Sequence, residues 1–248
     1  MRPVSLVVGV FMSLAGTTLA AEPVTFQSEE TAASLVELFT SEGCSSCPPA
    51  EKWLSQWKNK PELWKRIVPI AFHVDYWDYL GWRDQFARPE FTQRQRHYAN
   101  AWKLASVYTP GFVVNGREWK GWFDGTALPA SPAKSGRLRV SFDPAGRLSG
   151  IFGPQVSDTP QLELEAALLG GDLASDVRRG ENSGRKLVHD FVVLQLVKAP
   201  MTKEGDQAKA SLAFSPGENG QKPTALAVWV HFAGDMQPIQ ATGGWLSR

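Results

Sequence analysis

Cysteine is scarce in this chain: two residues, Cys44 and Cys47, among 248. Histidine is scarce too, with only His73, His97, His189 and His231. There is no second Cys-x-x-Cys and no His-x₃₋₅-His spacing, so a zinc finger or ribbon with four spaced ligands is excluded. Neither sign of charge is in excess, with 26 Lys and Arg against 25 Asp and Glu. That balance gives no pull towards nucleic acid or an anionic membrane. Beyond the N-terminus no apolar run approaches the roughly 20 residues of a membrane-spanning helix.

What is present begins with a leader. Arg2 precedes an apolar run from Val4 to about Ala15, and Thr18-Leu19-Ala20 ends in small residues before Ala21. This layout predicts a secretory signal peptide over 1–20, and hence an exported protein, periplasmic or secreted. Without Arg2 the mature charges balance at 25 each, since 26 − 1 = 25. The remaining length suits one large domain or two smaller ones.

The pattern changes near "ALPASPAKSG" (127–136), which reads as a linker. Before it, "SLVELFT" (34–40) and "RIVPIAFHVDYW" (66–77) read as strands. Pro48-Pro49 opens one helix, and Pro89 opens a second, amphipathic one. Asn115-Gly116 within "GFVVNGREWKGW" marks a hairpin. After the linker, short runs such as "RLRVSF", "QLELEAAL" and "TALAVWVHFAG" read as antiparallel strands. The expected domains are therefore an α/β unit at 33–128, a linker at 129–136 and a β-sandwich-like unit at 137–248.

Cys44 and Cys47 sit between a strand and a helix. There the helix N-terminus stabilises a thiolate at Cys44, and Cys47 is one turn away, placed to close or resolve a disulfide. This context is that of a thioredoxin-like fold. Two other readings stay open. One is a plain staple, although a four-residue ring stabilises by only about 2 kcal/mol. The other is copper handling by Cys44, Cys47 and His73. Thr109-Pro110, just before the strand "GFVVNG", falls where such folds place a cis proline facing the cysteines.

"VELFTSEGCSSCPPAE", "FHVDYWDYLGWRDQFARPEFTQRQRHYA", "SVYTP" and "GENSGRKL" together resemble the exported bacterial family catalogued as domain of unknown function 1223. The resemblance implies a thioredoxin-like first part. It places Cys44, Cys47, His73, Asp75, Tyr76, Trp77, Asp78 and Pro110 on the family's recurring motifs. The closing helix of a thioredoxin fold is expected to be shortened or absent after the hairpin, where Trp119, Trp122 and Phe123 are expected to cover the sheet instead. The buried Asp that thioredoxins hold six residues before the first cysteine is replaced by Leu38. Glu37 points to the other face. His73 and Asp75, two apart on one strand, are then the candidate proton acceptors, unless Asp75 only braces the next loop and His73 is a core histidine. The block "YWDYLGW" (76–82) reads either as packing or as an apolar rim for substrates.

The expected function is thiol–disulfide exchange with protein thiols or disulfides. Cys44 attacks as the more exposed thiol, Cys47 resolves, and Thr109 and Pro110 present the partner. No cofactor, metal, nucleic acid or membrane span is expected, and the oligomeric state is left open. The alternative is a binding module with a structural disulfide. "RRGENSGRKL" (178–187) reads as a solvated turn without chemistry.

Overall fold

The structure is a computed structural model that describes residues 22–130, 133–154, 160–215 and 221–246. The expected leader over 1–20 lies outside the described residues. In chain order the elements are β1 (Val24–Gln27), β2 (Ser34–Thr40), α1 (Cys47–Ser55), β3 (Ile67–His73), α2 (Pro89–Ala101), β4 (Gly111–Val114) and β5 (Arg117–Trp119). Then follow β6 (Arg137–Phe142), β7 (Arg147–Gly153), β8 (Leu162–Gly170), β9 (Leu173–Asp176), β10 (Lys186–His189) and β11 (Val192–Pro200). The last are β12 (Thr202–Glu204), β13 (Gln207–Ala213), β14 (Ala225–Phe232) and β15 (Pro238–Trp245). Among the described residues no helix is long and apolar enough to cross a membrane.

Here the expected fold class is corrected. The molecule is mostly β, with two α-helices among the described residues, and no thioredoxin-like α/β unit is set apart from a β-sandwich. An eight-stranded sheet instead runs β15-β14-β8-β11-β3-β2-β4-β5. It joins strands from both sides of the 129–136 stretch. The junction lies at the free edge of β3, where β11 pairs in parallel with Val192 opposite Ala71, and Ala71 N–H donates to Phe191 O at 2.8 Å. An exposed strand edge seeks a partner, and the one that meets it comes from far along the chain, with Val192 opposite Ala71.

The sheet buries both faces, which explains why β2 and β3 are continuous apolar runs and not alternating ones. On β2, Thr40 bonds α1 through Glu51 and Glu37 bonds α2 through Tyr98. Residues three apart on a strand face opposite ways, so the two helices lie on opposite faces. A second, antiparallel sheet, β1-β6-β7-β13-β12, covers the β8 and β14 end through Leu138, Leu148, Leu164 and Val228. Trp119 and Trp122 pack on Phe112 where no closing helix is described, while Phe123 is exposed.

Arg94 of α2 ties these layers together. It donates to Glu37 of β2 at 2.7 Å and to Glu165 of β8 at 3.0 and 3.2 Å. Its guanidinium lies against the rings of Phe72, Tyr98 and Trp229.

Candidate functional site

Strand β2 ends at Thr40, and the chain loops through Ser41–Ser46 before α1 starts at Cys47. Pro48 and Pro49 fall in the first turn, where a missing N–H costs nothing. Cys44 and Cys47 form a disulfide with Cα atoms 5.4 Å apart. Both are 0% exposed, so the expectation that Cys44 is the more open of the two is corrected. Two segments cover them. Trp77 packs on Gly43 so closely that a Cβ there would lie 2.8 Å from Trp77 Cβ. From 180–184, Asn182 donates its side-chain amide to the carbonyls of Glu42 and Cys44, at 2.9 Å each. Glu181 Oε2 accepts from Ser45 N–H at 2.9 Å and from Ser45 Oγ at 2.7 Å. The segment read as a solvated turn is therefore part of the site.

The Gly43 contact gives a direct test. Gly43→Ala is expected to force Trp77 off the loop and cost about 1–3 kcal/mol, the usual cost of overpacking, read from urea unfolding. An unchanged midpoint would mean that the two segments do not press on each other.

Thr109 and Pro110 lie at the same end of the sheet. Strand β4 runs antiparallel to β2 with Gly111 opposite Phe39, which leaves Pro110 level with Thr40. The Thr109–Pro110 bond is cis. Trp77 Nε1 donates to Thr109 Oγ1 at 2.8 Å, so Trp77 meets Gly43 through its Cβ and Thr109 through its indole. The 76–82 block divides its roles. Trp77 and Trp82 are bonded inward, while Tyr79 is 78% exposed. Burial pushes the Tyr76 phenol up to about 12, and its hydroxyl donates to Gln95 at 3.2 Å.

His73 and Asp75 do not share a face, because β3 stops at His73. Asp75 turns to α2, where its carboxylate accepts from Thr92 Oγ1 at 2.6 Å. His73 instead meets Asp84, with Nδ1 2.7 Å from Oδ2. Asp84 also accepts the N–H of Glu42 at 2.8 Å and of Phe86 at 2.9 Å. Beside this pair, His189 at the end of β10 sits between two carboxylates. Its Nδ1 is 2.7 Å from Glu51 Oε2, and its Nε2 is 3.3 Å from Glu42 Oε1. Thr40 donates to Glu51, and Trp82 donates to Glu42 at 2.6 Å. The two imidazoles meet edge to face at 4.9 Å.

All five ionisable side chains are buried. Among the described residues neither lysine nor arginine pairs with Glu42, Glu51 or Asp84, and their ionisable partners are histidines. Burial opposes a charge on His189, but the carboxylates of Glu51 and Glu42 outweigh it and push its pKa up to about 10. Burial opposes a charge on Glu51 and Asp84 as well, yet His189 and His73 respectively hold them below the usual carboxylate range.

Glu51 lies four residues after Cys47 on α1, so the two share a buried helical face. That spacing was visible in the sequence. Asp84 and His189, by contrast, follow no periodicity that links them to the cysteines.

Glu51, His73 and His189 offer ligand atoms within 4.8 Å of one another. They fit a single ion poorly. Donors on one ion at about 2.0–2.2 Å stand roughly 3 Å or more apart, and Glu51 Oε2 and His189 Nδ1 are closer than that, at a hydrogen-bonding 2.7 Å. The disulfide also removes the thiolates that copper handling would need.

No curated protein matches the chain at a significant level. Among solved structures, the crystal structure of an Agrobacterium tumefaciens protein is 25% identical with a TM-score of 0.62, covering 87% of this chain and 95% of that one. HBP35 of Porphyromonas gingivalis is 17% identical with a TM-score of 0.59, covering 86% and 75%, a likeness of fold alone. The model of a family described as protein of unknown function (DUF1223) matches residues 35–231. That span takes in the cysteine loop, the aromatic block, the cis proline and the 180–184 segment, and the chain belongs to this DUF1223 family.

Proposed function

We propose that this protein is exported and carries out thiol–disulfide exchange with protein partners through Cys44 and Cys47. One observation carries the reading: the chain's only two cysteines close a four-residue ring at the N-terminus of α1. Such a ring contributes little as a staple, and the helix end favours a thiolate. In the oxidised protein a partner thiolate attacks Cys44 Sγ, and Cys47 leaves as a thiolate that takes up a proton. A second partner thiolate then attacks its own mixed-disulfide sulfur and expels Cys44. The partner gains a disulfide and loses two protons, and this protein becomes a dithiol. Glu51, one turn from Cys47, and His189 behind it form the buried acid–base pair nearest in the chain to that leaving group.

A structural disulfide is the second reading, favoured by the complete burial of both sulfurs. The reduction potential and trapping separate the two. Exchange expects a potential above about −300 mV, the range below which structural disulfides lie. It also expects Cys47→Ser, but not Cys44→Ser, to accumulate a mixed disulfide with partner proteins. A potential below that range, or no trapped partner with either variant, assigns the ring to structure.

A further inference from the structure

The segment 180–184 holds both sides of the peptide that follows Cys44. On one side the fully buried Asn182 bonds the carbonyls of Glu42 and Cys44, and its own Oδ1 accepts from Arg185 at 2.7 Å. On the other side the Ser45 N–H and hydroxyl both donate to Glu181 Oε2. The turn itself is closed by Ser183 N–H to Gly180 O at 3.2 Å and by Gly184 N–H to Val177 O at 2.8 Å. Glu181 is thus delivered to the cysteines by a fixed turn from 136 residues away.

The amide of Ser45 is the first backbone donor after the Cys44 sulfur. In a reduced pair, a thiolate at Cys44 draws on such unpaired N–H groups ahead of the helix. Here the donor is already occupied, and by a negative charge. Glu42, two residues before Cys44, adds a second carboxylate on the buried side. We infer that Glu181 is a positioning residue that disfavours the opened, dithiol form of the Cys44–Cys47 pair, by occupying the Ser45 amide and holding a carboxylate on the peptide that follows Cys44. The inference deepens the exchange reading and rests on it for biological meaning. The equilibrium it concerns can be measured whether or not a partner exists. In that equilibrium the protein disulfide and two glutathione thiols give the protein dithiol and one glutathione disulfide.

The test uses the mature chain, equilibrated in glutathione buffers and followed by thiol alkylation. Glu181→Gln keeps the shape and an acceptor oxygen but removes the charge. Read at a pH above the Cys44 alkylation midpoint, it is expected to move the equilibrium three- to tenfold towards the dithiol form, which is about 15–30 mV upward. The pH midpoint for alkylation of Cys44 in the reduced protein is expected to fall by about half to one unit. Glu181→Lys is expected to move both further in the same direction. Because Glu181 is exposed, both shifts should shrink in 1 M salt. Glu62→Gln, a remote surface carboxylate, is expected to change neither. Asn182→Ala is expected to speed alkylation of the reduced pair through loss of cover, without the salt-sensitive shift. The inference is overturned if Glu181→Gln and Glu181→Lys leave both readouts at the parent values, or if Glu62→Gln shifts them equally. Trapping with Cys47→Ser stands apart from these readouts. An unchanged potential with successful trapping removes only the role of Glu181, and a shifted potential with no trapping removes only the exchange reading.

Discussion

Arg94→Met is expected to cost about 3–5 kcal/mol of stability, the usual loss when one partner leaves a buried ion pair. For a chain of this size that lowers the melting temperature by on the order of 10 °C. The residue stands between two buried carboxylates, Glu37 and Glu165, and Tyr98 donates its hydroxyl to Glu37. Burial raises the Glu165 carboxyl, but Arg94 outweighs it and brings it down to about 2. Among the described residues, His231, 3.5 Å from Glu165, is the other cationic group beside it. Methionine fills similar volume yet leaves two negative charges with little to balance them. Urea unfolding at pH 7 reads the loss directly. Replacing Glu37 and Glu165 by glutamine in the same variant should recover a large part of it, because the uncompensated charge is what costs. If Arg94→Met alone loses less than about 1 kcal/mol, α2 is held by its aromatic contacts and not by this network.

Much of the local structure was legible. The runs at 34–40 and 66–77, the second of which stops being a strand at His73, the prolines opening α1 and α2, and the Asn115-Gly116 turn each rest on a rule that acts within a few residues. Asn115 and Gly116 both have positive φ, as a tight hairpin requires. The fold class was not legible, because it was decided by which strand meets the edge of β3. That partner, β11, is distant, and its apolar sequence suits either sheet. The site divides in the same way. The cysteine ring and the cis proline are marked by residue type. The pairing of His73 failed at one step: two residues on a strand share a face only while the strand continues, and β3 ends at His73. Asp84, His189, Glu181 and Asn182 reach the site through tertiary folding alone. For the last two, the block "GENSGRKL" was a signal of position without chemistry.

Raising the pH from about 6.5 to 9.5 is expected to destabilise the protein, and His189→Gln to remove most of that dependence. In the unfolded chain histidine releases its proton at about 6.5, whereas folded His189 holds it to about 10. Its contribution is therefore fully present below about pH 6.5 and is lost as the pH climbs towards 10. A gap of roughly three units corresponds to a few kcal/mol at about 1.4 kcal/mol per unit. Glu51 works from the acid side. Its folded pKa is depressed, so its contribution is present above the usual carboxylate range and lost as the pH falls through it. The cluster is thus most favourable between about pH 5 and 6.5. Other groups titrate nearby: His231 is also raised, and Tyr76, Tyr108 and Lys58 are raised at the alkaline end. Staying below pH 9.5 keeps the tyrosines and the lysine out of the window. Comparing parent and variant cancels His231, which lies in a different network. At pH 6.5, His189→Gln should already be less stable by about 3–5 kcal/mol, since Glu42 and Glu51 lose their shared cation. Adding Glu51→Gln should restore part of that. Urea midpoints at several pH values decide the matter. Parallel slopes for the parent and His189→Gln would show that His189 does not carry the buried proton, and the acid–base role proposed beside Cys47 would fall with it.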